Sequence, residues 1–329
     1  RRVARKEVDK ARRSNKAIVF EMGHNSVAEH AVFNIDVLGV SRLIVEEIEK
    51  FRLCSFTEKS QRYIRLEDDF VVPEEIRSAG LEGVFVETIR EQNAFYHQLY
   101  KGLREYVFET NRDKAADPAN RSMLEGLAKE DARYIVSLAT EAQLGMTVNA
   151  RNLELMLRRS AAHPLREVNQ YGRNLYGTVS SIAPSLIRYT EASRYDKLSR
   201  QELRERASTV TERIVRKTGG SEKILGRDEN VVLVDVTPDG DDRIIAALRH
   251  SSSDLSLGRC AALVSEMDAS DKEDIVRTAL RHIESYYPPM REFEYADLTF
   301  EVVVSASCFA QLKRHRMATM TCQDYDPGL

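Results

Sequence analysis

Disulfide frameworks and zinc sites are the first things missing. The chain has four cysteines, Cys54, Cys260, Cys308 and Cys322, with no C-x-x-C pair and no histidine cluster at zinc-ligand spacing. Free structural thiols in a reduced, cytoplasmic compartment are expected, with no metal. No apolar run approaches the roughly 18 residues a membrane-spanning helix needs, so no membrane partner is expected. The formal net charge is only -3 over 329 residues, so no global basic field argues for nucleic acid. Residues 1–16 are basic, but no apolar h-region follows them and a signal peptide is not expected. The chain opens without an initiator Met, so it is not taken to be the whole gene product.

What is present reads as a globular protein: 42% hydrophobic and 31% charged residues, with a length that suits two domains or one large one. The first half reads as largely helical. A strand is expected over 31–40 (AVFNIDVLGV), followed by an amphipathic stretch from Ser41 to Leu53 with Ser41 as its N-cap. Residues 69–73 read as a short extended piece ending at Pro73. Helical patterns are expected over 74–111, 122–145 and 149–182, the last closed by Pro184. A polar, charged stretch interrupted by Gly219–Gly220 reads as a helical linker ending in a flexible joint. After it come a strand over 231–236, helices over 242–249 and 253–285, a strand over 298–305 and a helix over 308–316. Both halves share an order of helix, strand, helix and basic cluster, which points to a diverged internal repeat.

Three blocks of residues carry chemistry. The first is Gly23–His30, GHNSVAEH. The second runs from Lys50 to Tyr63, KFRLCSFTEKSQRY. The third holds Glu130, Ala132 and Arg133, then Val148, Asn149 and Arg151, then Arg159, His163, Glu167 and Val168. In the second half, Phe293, Glu294, Thr299 and Phe300 lead into Gln311, Arg314, His315 and Arg316, a Q-x-x-R-H-R element.

These blocks resemble the flavin-dependent thymidylate synthases. That family carries G-H-x-S-x-x-E-H before a strand, then R-H-R-x-x-S-x-N-E-x-S-x-R-Y. Ser55, Glu58, Ser60, Arg62 and Tyr63 match the second pattern, whereas Lys50 and Phe51 replace its first Arg and His, and Glu47 replaces the Gln three residues earlier. The second half is the reverse: Q-x-x-R-H-R is intact, but Thr319, Thr321, Cys322, Asp324 and Asp326 stand where the family has Ser, Asn, Glu, Ser and Arg. The resemblance implies an α/β fold, a duplicated domain with an antiparallel-rich sheet flanked by long helices. It divides the chain into a first synthase-like domain at 1–195 without its leading strand, a helical linker at 196–228 and a second, incomplete domain at 229–329.

The resemblance also implies the chemistry: reductive methylation of dUMP to dTMP, with FAD as cofactor and NADPH and methylenetetrahydrofolate as co-substrates. His24, Ser26, Glu29, Arg52, Asn149, Arg151, His163, His315 and Arg316 would bind the flavin. Gln311, Arg314, Ser60, Arg62, Glu58 and Arg133 would bind dUMP. Arg159 would face the uracil carbonyls and Ser60 would share the catalytic role, with Arg158 competing with Arg159 for that place. Arginine forks and small hydroxyls suit a monophosphate, each charge-assisted bond contributing roughly 1.5–3 kcal/mol. A fixed guanidinium would stabilise charge developing on the pyrimidine carbonyls. No cysteine nucleophile is needed, and the redox step belongs to the flavin.

In that family the sites form between subunits, which makes the uneven split informative. Gln311, Arg314 and Arg316 with Ser60 and Arg62 would recover nearly all phosphate ligands. The reciprocal set, Glu47 and Lys50 with Asp324 and Asp326, would aim three carboxylates at a dianion, at roughly 4 kcal/mol per ~4 Å contact for an effective dielectric near ~20. One competent composite site is therefore expected, in a homodimer of tandem chains forming a pseudo-tetramer. Two rival readings stay open: a non-catalytic paralogue that binds flavin or nucleotide as a regulator, and a purely structural partner. QLKRHR could also be a surface nucleic-acid patch, although its place at the end of an apolar run suits a helix-end pocket better.

Overall fold

The computed structural model describes residues 2–60, 66–218 and 230–325. The chain forms two compact units, one comprising 1–218 with 306–329 and the other 219–305. Gln61, Arg62, Tyr63, the Gly219–Gly220 joint and Asp326 lie outside the described residues.

The first unit opens with α1 (Arg2–Lys16), a π-helical turn (Ala17–Glu21) and a 3-10 turn (Asn25–His30), and then enters β1 (Val32–Ser41). Ser41 caps α2 (Arg42–Glu49) as expected, its Oγ accepting from the Ile44 N–H at 3.2 Å. The same hydroxyl donates to Glu167 Oε2 at 2.6 Å while the Ser41 N–H donates to Oε1 at 2.8 Å. This pins the strand-to-helix corner from a distant helix. A short strand, β2 (Ser55–Glu58), follows.

A helical layer comes next: α3 (Glu74–Ser78), α4 (Glu82–Thr110), α5 (Arg112–Ala115) and α6 (Arg121–Ala132). The expected helix over 74–111 is cut after α3 by Gly80 at φ +71, a left-handed position that favours glycine. Buried Tyr96, Leu124, Ala128 and Ala132 knit α4 to α6.

The largest correction lies at 141–149. That stretch was expected to extend a helix as far as Gly145, but it is β3 (Glu141–Asn149), the middle strand of an antiparallel sheet in the order β1-β3-β2. Glu, Ala, Gln, Leu and Met are good helix formers, and that preference masked the period-two pattern. Ala142, Leu144, Met146 and Val148 are buried while Glu141, Gln143 and Thr147 face out. The four apolar residues complete the main core with Val37, Ile44, Val45, Ile48, Leu153 and Met156. The strand β2 was not expected either; it pairs with β3 from Ser55↔Thr147 to Glu58↔Leu144.

The expected helix over 149–182 is two helices, α7 (Ala150–Ala162) and α8 (Arg166–Ser180). Pro164 biases His163 to extended backbone (φ -71, ψ 140) and cannot donate a helical bond. An exposed helix, α9 (Arg194–Thr218), follows. The other unit holds a ribbon of β4 (Val231–Val236) paired antiparallel with β5 (Leu298–Val302), together with α10 (Gly240–Ser251), α11 (Leu257–Ser265) and α12 (Ala269–Leu280). The expected single helix over 253–285 is divided because Asp268 caps α12, accepting from the Asp271 N–H at 2.9 Å. A small core of Ile245, Ala246, Cys260 and Val264 holds these helices. The final helix, α13 (Ala306–Leu312), starts and stops earlier than expected and belongs to the first unit. The α/β class with antiparallel sheets and long helices therefore holds.

Packing between α7 and α8 depends on Gly172, where an added Cβ would lie 2.7 Å from the Ser160 Cβ. Gly172→Ala should overpack this buried contact and lower unfolding free energy by about 1–3 kcal/mol, measured by denaturant titration.

Candidate active site

Pairing of β1 with β3 brings the first and third motif blocks together. Val32 lies opposite Asn149, and the Ala150 N–H donates to the Ala31 carbonyl at 2.8 Å. The 3-10 turn of Gly23–His30 therefore packs on the start of α7. Gly23, at φ +75, turns the chain into it. Glu29 forms an ion pair with Arg151, both side chains about half exposed. His24 and Ser26 are exposed in the same stretch. Asn149 has a local role, since its Oδ1 caps α7 by accepting from the Asn152 N–H at 2.9 Å.

Pairing of β2 with β3 positions the second block. Glu58, whose side chain is only 5% exposed, receives two guanidiniums. Arg314 Nη2 donates to Glu58 Oε2 at 3.0 Å, and Arg42 Nη1 donates to Oε1. Arg42 also reaches Glu46 Oε1 at 3.0 Å. Burial alone would lower the Arg42 pKa, but the carboxylates of Glu58 and Glu46 outweigh it and raise it. Lys313 completes the cluster, its Nζ 2.8 Å from Glu46 Oε2 and 2.8 Å from Glu49 Oε2. These contacts are ion pairs by distance but are bent away from hydrogen-bond geometry. An open cleft of about 410 Å³ is lined by Glu49, Ser55, Phe56, Thr57, Glu58, Lys313, Arg314 and Arg316.

Arg52 and Arg316 clasp each other beside this cleft. Arg52 Nε and Nη2 donate to the carbonyls of Arg316 and Met317 at 2.6 and 2.8 Å, and Arg316 Nη1 donates back to the Arg52 carbonyl at 3.5 Å. His315 is exposed, and Gln311 is half-buried on α13. The Cys54 thiol is pushed up to about 11 by burial, against the pull of Arg316. It is no thiolate at neutral pH.

A second cluster lies between α2 and the α7–α8 corner. His163 Nε2 is 3.4 Å from Glu47 Oε2, and its Nδ1 accepts from the Leu165 N–H at 3.2 Å. Lys50 donates to Glu47 Oε1 at 2.6 Å. Burial opposes ionisation of Glu47, but hydrogen bonds from His163 and Lys50 prevail and hold its carboxyl at about 2. Lys50 and Glu47 thus serve each other. Arg159 stands over the Phe51 ring, 5.6 Å from its centroid, while Arg158 pairs with Asp196 at 3.1 Å. Arg133, at the end of α6, lies 3.7 Å from Glu130. Asp324 pairs with Arg204 at 2.6 Å. Ser60 follows β2, and Arg62 lies outside the described residues.

Sequence reading missed Arg42, Glu46, Glu49 and Lys313. The available signal was the spacing of Arg42, Glu46 and Glu49, which at i, i+4 and i+7 share one helix face. Lys313 gave none, because nothing in QLKRHR separates a buried lysine from its basic neighbours.

A family model described as thymidylate synthase complementing protein matches residues 2–185 and 232–325. The chain belongs to this family. Among its relatives, the flavin-dependent thymidylate synthase of Clostridium tetani is 28% identical over 180 residues, covering 54% of this chain and 69% of that protein. The enzyme of the same name from Pyrococcus abyssi is 30% identical over 155 residues, covering 44% of this chain and 54% of that one. The matched stretch thus spans between about half and two thirds of its relatives' lengths. A solved structure of a UMP/dUMP methylase PolB from Streptomyces cacaoi bound with 5-Br dUMP is 19% identical at a TM-score of 0.42, covering 54% of this chain and 77% of that one. The thymidylate synthase complementing resemblance read from the motifs is borne out, and among the described residues no helix is long and apolar enough to cross a membrane.

Because the folded Glu47 carboxyl titrates at about 2, below the ordinary 4.5, it stabilises the fold fully above pH 4.5 and loses that contribution as pH falls towards 2. Glu47→Gln should therefore flatten the acid limb of stability in that window, read from denaturant midpoints between pH 5 and 2.

Proposed function

We propose that this protein is a flavin-dependent thymidylate synthase, converting dUMP to dTMP with methylenetetrahydrofolate and NADPH through one composite site. The observation that carries this reading is the Arg314–Glu58 contact. It joins the intact Q-x-x-R-H-R element of the second half to the intact S-x-x-E-x-S element of the first, within the cleft that holds Ser55 and Arg316. In this reading the chain is a tandem duplication, with halves at 1–195 and 229–329 joined by the linker at 196–228. Support comes from the repeated order of strand, helix and basic cluster, β1 then α2 and β5 then α13.

The dUMP phosphate would take Arg314, Gln311, Ser60 and Arg62, with Arg133 assisting. A dianion competes with the Glu58 carboxylate for Arg314, and Arg42 is placed to keep Glu58 neutralised when Arg314 turns away. Arg159 would stabilise negative charge on the uracil carbonyls. The donor set near the start of α7 fits a phosphorylated dinucleotide in kind, since imidazole, hydroxyl and guanidinium groups stand exposed beside a helix N-terminus. FAD would be held by His24, Ser26, Glu29, Asn149 and Arg151, with Arg52, His163, His315 and Arg316, and it would supply the hydride chemistry. Lys50, bound to Glu47, is left out of the working site. Two chains would associate as a pseudo-tetramer. The free cysteines fit a reduced, cytoplasmic setting.

A second reading, a non-catalytic paralogue that binds flavin or nucleotide as a regulator or structural partner, draws on the replacement of the first-half Arg and His by Lys50 and Phe51. Colour separates the two. A yellow protein that bleaches with NADPH only when dUMP is present supports the enzyme, and a colourless one that binds dUMP supports the regulator. In dUMP titrations of the full chain, Arg314→Ala and Arg62→Ala should each weaken binding by roughly 10- to 100-fold, the loss of one charge-assisted bond, while Lys50→Ala changes little. Equal losses from all three would overturn the single composite site.

A further inference from the structure

On the tandem-duplication reading, Glu47-Ile48-Glu49-Lys50 and Gln311-Leu312-Lys313-Arg314 take the same place in the family's Q-x-x-R-H-R element, which makes Glu49 and Lys313 counterparts. In the folded chain these counterparts meet. Lys313 Nζ lies 2.8 Å from Glu49 Oε2 and 2.8 Å from Glu46 Oε2, with side chains 4%, 7% and 3% exposed respectively. In a two-fold arrangement of like elements, residue i meets j and j meets i, and a residue meets its own counterpart only beside the axis, so this contact marks such an axis. Here the two occupants carry opposite charges.

We infer that the Glu46–Lys313–Glu49 triad is a partner-selecting lock, admitting residues 306–316 onto α2 and barring the α2 of a second copy of the chain from the same face. Arg42 is already shared between Glu46 Oε1 and Glu58, so Glu46 Oε2 and Glu49 look to Lys313 for their countercharge. Two α2 helices face to face would bury four such carboxylates with no lysine between them. Two 306–316 segments face to face would oppose Lys313 to Lys313, and buried Ala310, the counterpart of Glu46, brings no carboxylate to relieve them. Counted with Arg42, which pairs with Glu46, only the unlike pairing is neutral. Stability is a weak reason for such a triad, because well-packed apolar residues serve a buried interface at least as well. Exclusion of the wrong partner is a use that apolar residues cannot serve. The inference rests on the tandem-duplication reading but not on the nucleotide and flavin assignments, since none of its three residues is assigned to either ligand.

The test uses the full chain, with light-scattering mass and amide hydrogen exchange as readouts. Lys313→Glu should speed exchange over 44–49 and 306–316 by at least about tenfold as the segment is expelled. The charge-swapped double variant Glu49→Lys/Lys313→Glu, which keeps two carboxylates and one lysine, should return to within about threefold of the parent. Glu49→Lys alone repels Lys313 and sets its new ammonium beside Glu46, making α2 complementary to itself, so its mass should double relative to the parent. Parent-like exchange in Lys313→Glu overturns the inference, as does a swapped variant no better than the single one. So does a Glu49→Lys chain that keeps the parent mass with 306–316 still protected. Should Lys313→Glu fail to fold, the swapped variant decides: recovery upholds the lock and failure to recover refutes it.

Discussion

Lys313, buried between Glu46 and Glu49, is the contact on which the site in the first unit depends. Taking a charged group out of water costs several kcal/mol per ion after relaxation, on the order of a whole domain's margin when left unpaired. The ammonium can therefore rest only where the two carboxylates wait, and this fixes where α13 ends. Its neighbours follow from that placement. Arg314, next along the chain, meets Glu58, and the Arg316 and Met317 carbonyls just beyond each accept a donor of Arg52. A cleft with guanidiniums on one wall and the edge of β2 on the other is the result.

The sheet supplies the other constraint. Because β3 lies between β1 and β2, one strand sets the position of two motif blocks that are far apart in sequence. Its C-terminal end delivers Asn149 and Arg151 to the Gly23–His30 turn, and its middle presents the β2 edge that ends in Glu58. Glu167 holds the third side of this frame by gripping Ser41 through two hydrogen bonds. Chemistry-bearing residues in this protein are mostly held by one another. Glu29 grips Arg151, Glu47 grips both Lys50 and His163, and Glu58 bridges Arg42 and Arg314.

Much of this was legible in the sequence where local rules and tertiary demands agree. The first strand, the Ser41 cap and the strand at 231–236 fall within a residue of their expected places. The nearness of the Gly23–His30 block to Asn149 and Arg151 was an implication of the family resemblance, and the structure pairs Glu29 with Arg151. Legibility failed where propensity and environment pull apart. Residues 141–149 are rich in helix formers yet form the central strand, since only a strand presents four apolar side chains to one face. The inward-facing charges failed for a different reason. A lysine among arginines gives no sign that it will be buried, because its partners lie more than 260 residues away in sequence. Long helices were broken by single residues, Gly80, Pro164 and Asp268, whose effect is local and was readable in principle.

The middle strand has one more implication, for how such a protein tolerates change. Inserting or deleting one residue within 141–149 would turn Leu144, Met146 and Val148 outward and slide both neighbouring strands' partners by a step. Both motif blocks would lose their placement together. Length variation in descendants of this chain should therefore gather in the helical layer at 74–132, which the strand does not thread, and leave those nine residues uninterrupted.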